Sequence, residues 1–126
     1  MIDNRRRGVA LSFGFAILAF AAPAGAAKFD GAWTMTAVTT NGHCGVIPVT
    51  FSVTRGHIHP GGGSYAFYPI KLSGSVSASG STSLKAITGP RVAYGTGRLR
   101  GAQGSGKWRG TGPSGVCTGV WTATRG

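Results

Sequence analysis

The sequence predicts an all-β fold, a single small antiparallel meander or closed β-barrel of about seven or eight strands with one disulfide. Three observations predict it. Glycine supplies 23 of the 126 residues and gathers in clusters that divide the chain. Short runs rich in Thr, Val, Ser and aromatic residues lie between these clusters, and their apolar side chains alternate with polar ones, as in strands. No stretch after Lys28 places apolar residues at helical spacing over several turns.

Seven strands are predicted, each bounded by turn-forming residues. They span residues 30–39, 47–55, 68–77, 81–88, 91–100, 106–112 and 116–124. Connections this short make consecutive strands antiparallel neighbours. A sheet of this many strands curls or closes, because closure hides its edges. The interior of such a small barrel can be filled by side chains.

Residues 1–27 have the three-part layout of a cleavable signal peptide. Three arginines at 5–7 precede an apolar run over residues 9–22 and a small-residue stretch over 24–27. The apolar run is shorter than the about 20 residues that span a bilayer, and no charged stop-transfer flank follows it. We expect export by general secretion, which leaves one β domain at residues 28–126, periplasmic or secreted, with no transmembrane segment.

Cys44 and Cys117 are the only cysteines of the chain. In an oxidising compartment they are expected to pair with each other. The large loop that this bond closes predicts a stabilisation of about 4 kcal/mol in the chain-entropy treatment. There is no CxxC pair, and oxidation removes any thiol nucleophile, so the bond is interpreted as structural.

The charge balance excludes several classes of enzyme. Loss of residues 1–27 leaves ten basic side chains and one acidic side chain, Asp30, which is a net charge of +9. Glycosidases need two carboxylates, calcium and magnesium sites are built largely from them, and a serine triad needs one to orient its histidine. We therefore expect a protein that is not an enzyme and that has no required cofactor.

A net charge of +9 on a small domain attracts anions. Export favours an anionic polysaccharide or a lipid headgroup of the cell envelope as the partner over nucleic acid. The alternative is that the charge only keeps a monomeric β protein soluble and its sheet edges unpaired.

Three tryptophans, Trp33, Trp108 and Trp121, are predicted to anchor the core. Trp33 alternates with threonines in the first strand, and Trp121 follows Cys117 and Gly119 at alternate positions in the last. The alternative is an aromatic platform for a ligand. Glycines at alternate positions in residues 95–112 are expected to face the interior and make room for large neighbours.

Gly31-Ala32-Trp33 on the first strand resembles the G-x-W that opens lipocalin-type barrels. In that family the tryptophan packs under a basic residue from the end of the barrel, and Arg125 is placed to supply it. The chain is shorter than a usual lipocalin, which argues against a spacious lipid cavity.

A second resemblance covers nearly all of residues 28–126. It is carried by FDGAW at 29–33, GHC at 42–44, YGTGRLRG at 94–101, GSGKW at 104–108 and CTGVWTATR at 117–125. This frame resembles small exported bacterial glycine-rich β proteins of unknown function, which are sometimes labelled haem-utilisation proteins. The resemblance implies the fold and export, and it implies no activity.

Alternation across the hairpin at residues 91–109 predicts a cationic surface. Leu99 and Trp108 are expected to face inward. The four side chains expected to share the outer face are Arg98, Arg100, Lys107 and Arg109. They are candidates for anion binding, and a simply solvated outer face is the alternative.

His57 and His59 flank Ile58 beside a proline and three glycines, and both imidazoles fall on one side of an extended segment. Imidazole pairs can hold a transition metal or haem iron. Only His43 could add a third imidazole. Solvated side chains on an exposed turn are the alternative.

Three functions therefore remain open. The leading one is a non-enzymatic exported module whose basic face binds an anionic envelope polymer or lipid headgroup. The second is haem or metal binding through His57 and His59. The third is a structural protein of the envelope.

Overall fold

The computed structural model describes residues 27–126, so the predicted signal peptide at residues 1–27 lies outside the described residues except for Ala27. The described chain forms ten strands. They are β1 (Gly31–Asn41), β2 (Val46–Thr54), β3 (His57–Pro60), β4 (Ser64–Tyr65), β5 (Tyr68–Pro69), β6 (Lys71–Val76), β7 (Ser81–Thr88), β8 (Arg91–Arg100), β9 (Gln103–Gly112) and β10 (Gly115–Arg125).

Eight of these strands form a closed antiparallel barrel in the order β9-β10-β1-β2-β3-β6-β7-β8. Strands β4 and β5 pair only with each other, as a small hairpin. The predicted all-β fold, barrel closure and strand number are confirmed. The described part of the chain contains no helix with the length and apolar character needed to cross a membrane.

The structure differs from the predicted strands in three places. Strand β3 was not predicted, because its four residues include one buried apolar side chain, Ile58, and end at Pro60. The predicted strand at 68–77 is two strands, β5 and β6, because between them the Ile70 amide donates a hydrogen bond of 3.0 Å to the Gly63 carbonyl. Strand β9 begins at Gln103 instead of residue 106, because a turn of two residues, Gly101 and Ala102, is enough to connect it to β8. Gly101 adopts a φ of 58° in this turn.

The two ends of the barrel are built differently. One end carries the turns β2–β3, β6–β7 and β8–β9 together with residues 27–30, and we call it the closed end. The other carries the connections β1–β2, β7–β8 and β9–β10 and the long segment 61–70 with its hairpin, and we call it the open end. Each barrel strand runs from one end to the other, so the position of a residue along its strand fixes its height.

The closed half of the barrel holds the densest part of the core. Trp33 and Trp121 are each 1% exposed, and the Trp33 ring stacks on Phe51 with 6.2 Å between ring centroids. Two paired glycines make room for Trp121: a Cβ built on Gly97 would lie 2.5 Å from its ring, and one on Gly106 would lie 2.6 Å from its Nε1. A large side chain therefore fills the space that two absent side chains leave.

Arg125 seals the closed end. Its guanidinium carbon lies 5.4 Å from the centroid of the Trp33 ring, the contact expected from the G-x-W pattern. Its Nη1 donates to the carbonyls of Lys28 at 3.0 Å and Asp30 at 3.1 Å. The cation thus covers an aromatic face and satisfies backbone acceptors of the segment that crosses this end.

The predicted disulfide is confirmed. Cys44 lies in the connection between β1 and β2, and Cys117 lies on the inner face of the neighbouring strand β10, with 6.3 Å between their Cα atoms. The bond therefore ties a loop of the open end to the barrel wall. The described residues contain no free cysteine.

We predict that replacing both cysteines with serine lowers the free energy of unfolding by about 4 kcal/mol, because the unfolded chain regains the entropy of a long closed loop. Urea denaturation of the oxidised protein and the double variant measures this. Titration of the denatured wild-type protein should find almost no free thiol. Two reactive thiols per chain would contradict the pairing.

We predict that Trp33→Ala lowers the free energy of unfolding by about 3–5 kcal/mol, because it removes the largest fully buried ring together with the platform for Arg125. The matched control is Tyr94→Ala, since Tyr94 is 57% exposed on the outer wall. The control should change stability by less than about 0.5 kcal/mol. Equal losses in the two variants would contradict the assignment of inner and outer faces.

Candidate functional site

The open half of the barrel encloses an apolar cavity of about 110 Å³. Its deep part is lined by buried residues of three strands, Met35, Leu84 and Trp121. Residues at the strand ends and loops of the open end, among them Cys44 and Ser114, line its mouth. An engineered cavity of ~150 Å³ holds one benzene ring. This cavity therefore has room for one small ring or a short alkyl segment.

The cavity exists because small residues replace large ones on the inner wall. Ala86, Ala93, Gly110 and Cys117 are register partners in turn across β7, β8, β9 and β10, so they form one row of small inner residues. In the closed half the indole of Trp121 fills the equivalent space. In the open half the indole of Trp108 lies against Gly110 and Gly119, and Ala86, Ala93 and Gly110 line the void that remains.

Trp108 was predicted as a core anchor, with an aromatic platform for a ligand as the alternative. Its inward side chain packs against the core and is half-buried, and its indole also lines the cavity. A Cβ built on Gly110 would lie 3.3 Å from the indole, so the ring takes up part of the space that this glycine leaves. The position of Trp108 is compatible with both interpretations.

The buried Nε1 of Trp108 and the Oγ1 of Thr39 find no hydrogen-bond partner among the described residues. Gly119 lies between them: it is the register partner of Trp108 on one side and of Thr39 on the other. A Cβ built on Gly119 would lie 2.8 Å from Trp108 Nε1. Both polar atoms therefore lie on the inner wall, one on each side of Gly119.

Arg91 lies at the mouth of the cavity. It is half-buried, and among residues 27–126 it is the only charged residue that lines the cavity. Its guanidinium carbon lies 5.4 Å from the centroid of the Tyr65 ring. Asp30, the only acidic side chain in this part of the chain, lies at the closed end, where its Oδ1 accepts from the Arg55 amide at 2.8 Å. The mouth therefore holds a cation without a carboxylate beside it.

The β4–β5 hairpin lies against this mouth. Tyr65 lines the cavity, and the Thr88 hydroxyl lies 3.3 Å from the Tyr65 carbonyl and 3.2 Å from the Tyr68 carbonyl. Gly89 gives the Tyr68 ring its place, since a Cβ there would lie 2.5 Å from the ring. These contacts attach the hairpin to the turn between β7 and β8.

Neither Arg91 nor the cavity was singled out in the sequence. The signal for Arg91 was present, because alternation back from the inward Leu99 places Gly97, Gly95, Ala93 and Arg91 on the inner face of β8. An inward-facing arginine at the end of a strand, next to small inward-facing residues, indicates a charged group at the mouth of an incompletely filled barrel. The hairpin gave no comparable signal, because each of its strands has two residues.

The four residues of the predicted cationic surface, Arg98, Arg100, Lys107 and Arg109, are all exposed on the outer face of β8 and β9. In the register of this hairpin each of the four pairs with a neutral residue, as Lys107 does with Thr96 and Arg109 with Tyr94. The direct repulsion that facing cations would cause is therefore avoided.

Two contacts refine this cationic surface. Arg98 Nη1 donates to the Ser79 carbonyl at 3.0 Å, so part of this guanidinium supports the β6–β7 turn. Lys85 of β7, which was not predicted to belong, lies beside the surface: it is the register partner of Tyr94, and its Nζ lies 5.8 Å from that ring. The outward alternation of β7 carried the signal for Lys85.

The histidines were weighed as solvated side chains of an exposed turn, but the structure places His57 and His59 on strand β3, both exposed. His43 lies in the connection between β1 and β2 and is also exposed. Residues 27–126 contain no group of three His, Cys, Asp or Glu side chains arranged to hold a metal ion. The described chain therefore does not bring His43 together with the other two.

We compared the chain with protein-family models, with curated proteins and with solved structures, and none of them matches it. The cavity and its rim are therefore the features from which we infer function.

Proposed function

We propose that residues 28–126 form an exported, non-enzymatic binding module that takes a small anionic amphiphile through the open end of the barrel. The apolar part of this ligand lies in the cavity, and its anionic group lies at Arg91. One observation carries the proposal: an apolar cavity whose mouth holds a single charged residue. The Cys44–Cys117 disulfide supports an oxidising compartment, as export requires.

The size of the cavity defines the class of ligand. At about 110 Å³ it takes a short alkyl segment or one small ring, so the rest of a ligand must remain in the mouth. The part within reach of Arg91 is then polar or charged. This favours a short-chain or cyclic carboxylate over a long-chain lipid, in keeping with the short length of the polypeptide.

Arg91 is suited to an anion for two reasons. It is half-buried beside apolar residues, where a charge interaction is screened less than at an open surface. The Tyr65 ring supports its guanidinium on one face, which leaves the planar fork of N–H donors for a carboxylate. Trp108 and Trp121 line the same cavity, so binding should change tryptophan fluorescence.

We predict that wild-type protein binds short- to medium-chain carboxylates, from butanoate to octanoate, more tightly than the alcohols of equal length. Arg91→Gln should weaken carboxylate binding by about tenfold or more, because a charge-assisted contact is worth about 1.5–3 kcal/mol, and leave alcohol binding unchanged. Ala86→Leu, which fills the row of small residues, should weaken both. Tryptophan fluorescence and titration calorimetry measure these affinities.

Lys28→Gln is the matched control, because it removes the same charge from the closed end and should alter neither affinity. If carboxylates and alcohols bind the wild-type protein equally, or if Lys28→Gln reproduces the loss of Arg91→Gln, then Arg91 does not select the anion. The proposal would then be wrong.

We propose the cationic surface of β8 and β9 as a second binding site, for an acidic polysaccharide of the envelope. The observation that favours it is the exposure of Arg98, Arg100, Lys107 and Arg109 on two adjacent strands, each opposite a neutral residue. An extended polyanion could contact several of them at once. A compact ligand in the cavity could not.

We predict that replacing Arg100, Lys107 and Arg109 with glutamine weakens binding of dextran sulfate by at least about tenfold and flattens its salt dependence, because three charge-assisted contacts are lost. Arg98 is kept, since it also supports the Ser79 turn. Affinity chromatography at several salt concentrations measures the effect.

The control set for this prediction is Lys28, Arg55 and Lys71, which carries the same charge away from the two strands. Lys85 and Arg125 are unsuitable controls, because Lys85 lies beside the surface and Arg125 seals the closed end. Equal losses from the two triple variants would show that net charge drives association and that the cationic surface is not a site.

A further inference from the structure

Large apolar side chains are exposed mainly at one end of the molecule. Eight such side chains are exposed among the described residues. Five of them lie at the open end, in the hairpin or within two residues of a strand terminus: Val46, Phe67, Tyr68, Ile87 and Val116. The other three lie farther from the strand ends, and the closed end carries none. The open end thus carries two exposed rings on its hairpin and three outward aliphatic side chains near its strand ends, all of which the fold leaves in water.

Phe67 is the most prominent of these side chains. It lies at the tip of the β4–β5 hairpin with a relative exposure of 103%, so its ring contacts almost nothing in the described chain. Ala66 and Phe67 both have left-handed backbone, with φ values of 51° and 73°. Asn-Gly is the favoured pair for such a turn, and a bulky residue there is unfavourable. Phe67 therefore stabilises neither the core nor its own turn.

The hairpin that carries Phe67 is attached to the barrel. Thr88 bonds to it, Tyr68 lies against Gly89, and Tyr65 reaches the cavity under Arg91. The exposed ring is therefore held outward beside the mouth by a supported turn. A side chain presented in this way is suited to insertion into an apolar phase outside the molecule.

The charges at this end match an anionic surface. Lys71 begins β6 beside the hairpin, Arg91 lies at the mouth, and Asp30, the single acidic side chain of residues 28–126, lies at the opposite end. Exposed aromatic and aliphatic side chains combined with cations are the features of proteins that bind the interface of an anionic bilayer.

We propose that the open end docks on an anionic lipid surface, with Phe67 inserted among the lipids and Lys71 and Arg91 facing their headgroups. In this orientation the mouth of the cavity faces the membrane, so a small amphiphile could pass between the bilayer and the barrel. The docking itself does not require the cavity to be occupied, and it is tested separately from carboxylate binding.

The test is co-flotation of purified protein with vesicles of phosphatidylglycerol and phosphatidylcholine, compared with vesicles of phosphatidylcholine alone. Wild-type protein should bind the anionic vesicles and bind the neutral ones much less. Phe67→Ala should weaken binding by about tenfold or more, because burial of the ring is lost. Lys71→Gln should weaken it by about fivefold.

Two matched controls accompany these variants. Tyr94→Ala removes an exposed aromatic ring from the outer wall, and Lys28→Gln removes a cation from the closed end; each should change vesicle binding by less than about twofold. Phe67→Trp should show a blue-shifted emission on binding, which reports insertion directly. Phe67 contacts no core residue, so circular dichroism should show all the variants folded.

The proposal is overturned if wild-type protein does not bind the anionic vesicles. A protein partner would then be the occupant of the exposed apolar side chains at the open end. It is also overturned if Tyr94→Ala loses as much binding as Phe67→Ala. Net charge and nonspecific adsorption of exposed aromatic rings would then explain the association. The affinity of Arg91→Gln for soluble carboxylates, measured without vesicles, reports on the cavity alone. Failure of carboxylate binding can therefore be distinguished from failure of membrane docking.

Discussion

The interior of a closed eight-stranded barrel is a fixed volume that the inward side chains must share, and the rest of this structure depends on how they share it. In the closed half, the indole of Trp121 occupies the space left by Gly97 and Gly106. In the open half the row from Ala86 to Cys117 is equally small, and the indole of Trp108, which lies against Gly110 and Gly119, fills the space only in part. The cavity is therefore a consequence of where large and small residues fall in the register.

The two ends of the barrel differ in how their cations and aromatic rings are used. At the closed end, Arg125 covers Trp33 and bonds to backbone carbonyls, so a cation is used entirely within the fold. At the open end, Arg91 lies over Tyr65 but meets no carboxylate in the described chain, and Phe67 is left in water. A half-buried cation without a carboxylate and an aromatic ring left in water are typical of functional surfaces.

The sequence predicted the features that depend on local period and on the count of residue types. Alternation identified seven of the eight barrel strands, each bound within three residues, and two cysteines allow one pairing. Strand β3 escaped because one buried apolar side chain among four residues is too short a pattern to establish a strand. The cavity escaped because void volume depends on side chains from several strands meeting in space. No single stretch of sequence contains that information.

The physical setting of the cations favours the open end over the outer wall as the principal site. Arg100, Lys107 and Arg109 are exposed, so an anion there gains little beyond what water and salt already supply. Arg91 is partly desolvated, and its aromatic support holds the guanidinium in one orientation before a ligand arrives. A carboxylate bound at the mouth would therefore displace less water from Arg91 and make a more directed contact with it. The apolar part of the ligand would fill the void beneath. The outer wall offers attraction of longer range, which suits the approach to a polyanionic surface better than the selection of one ligand.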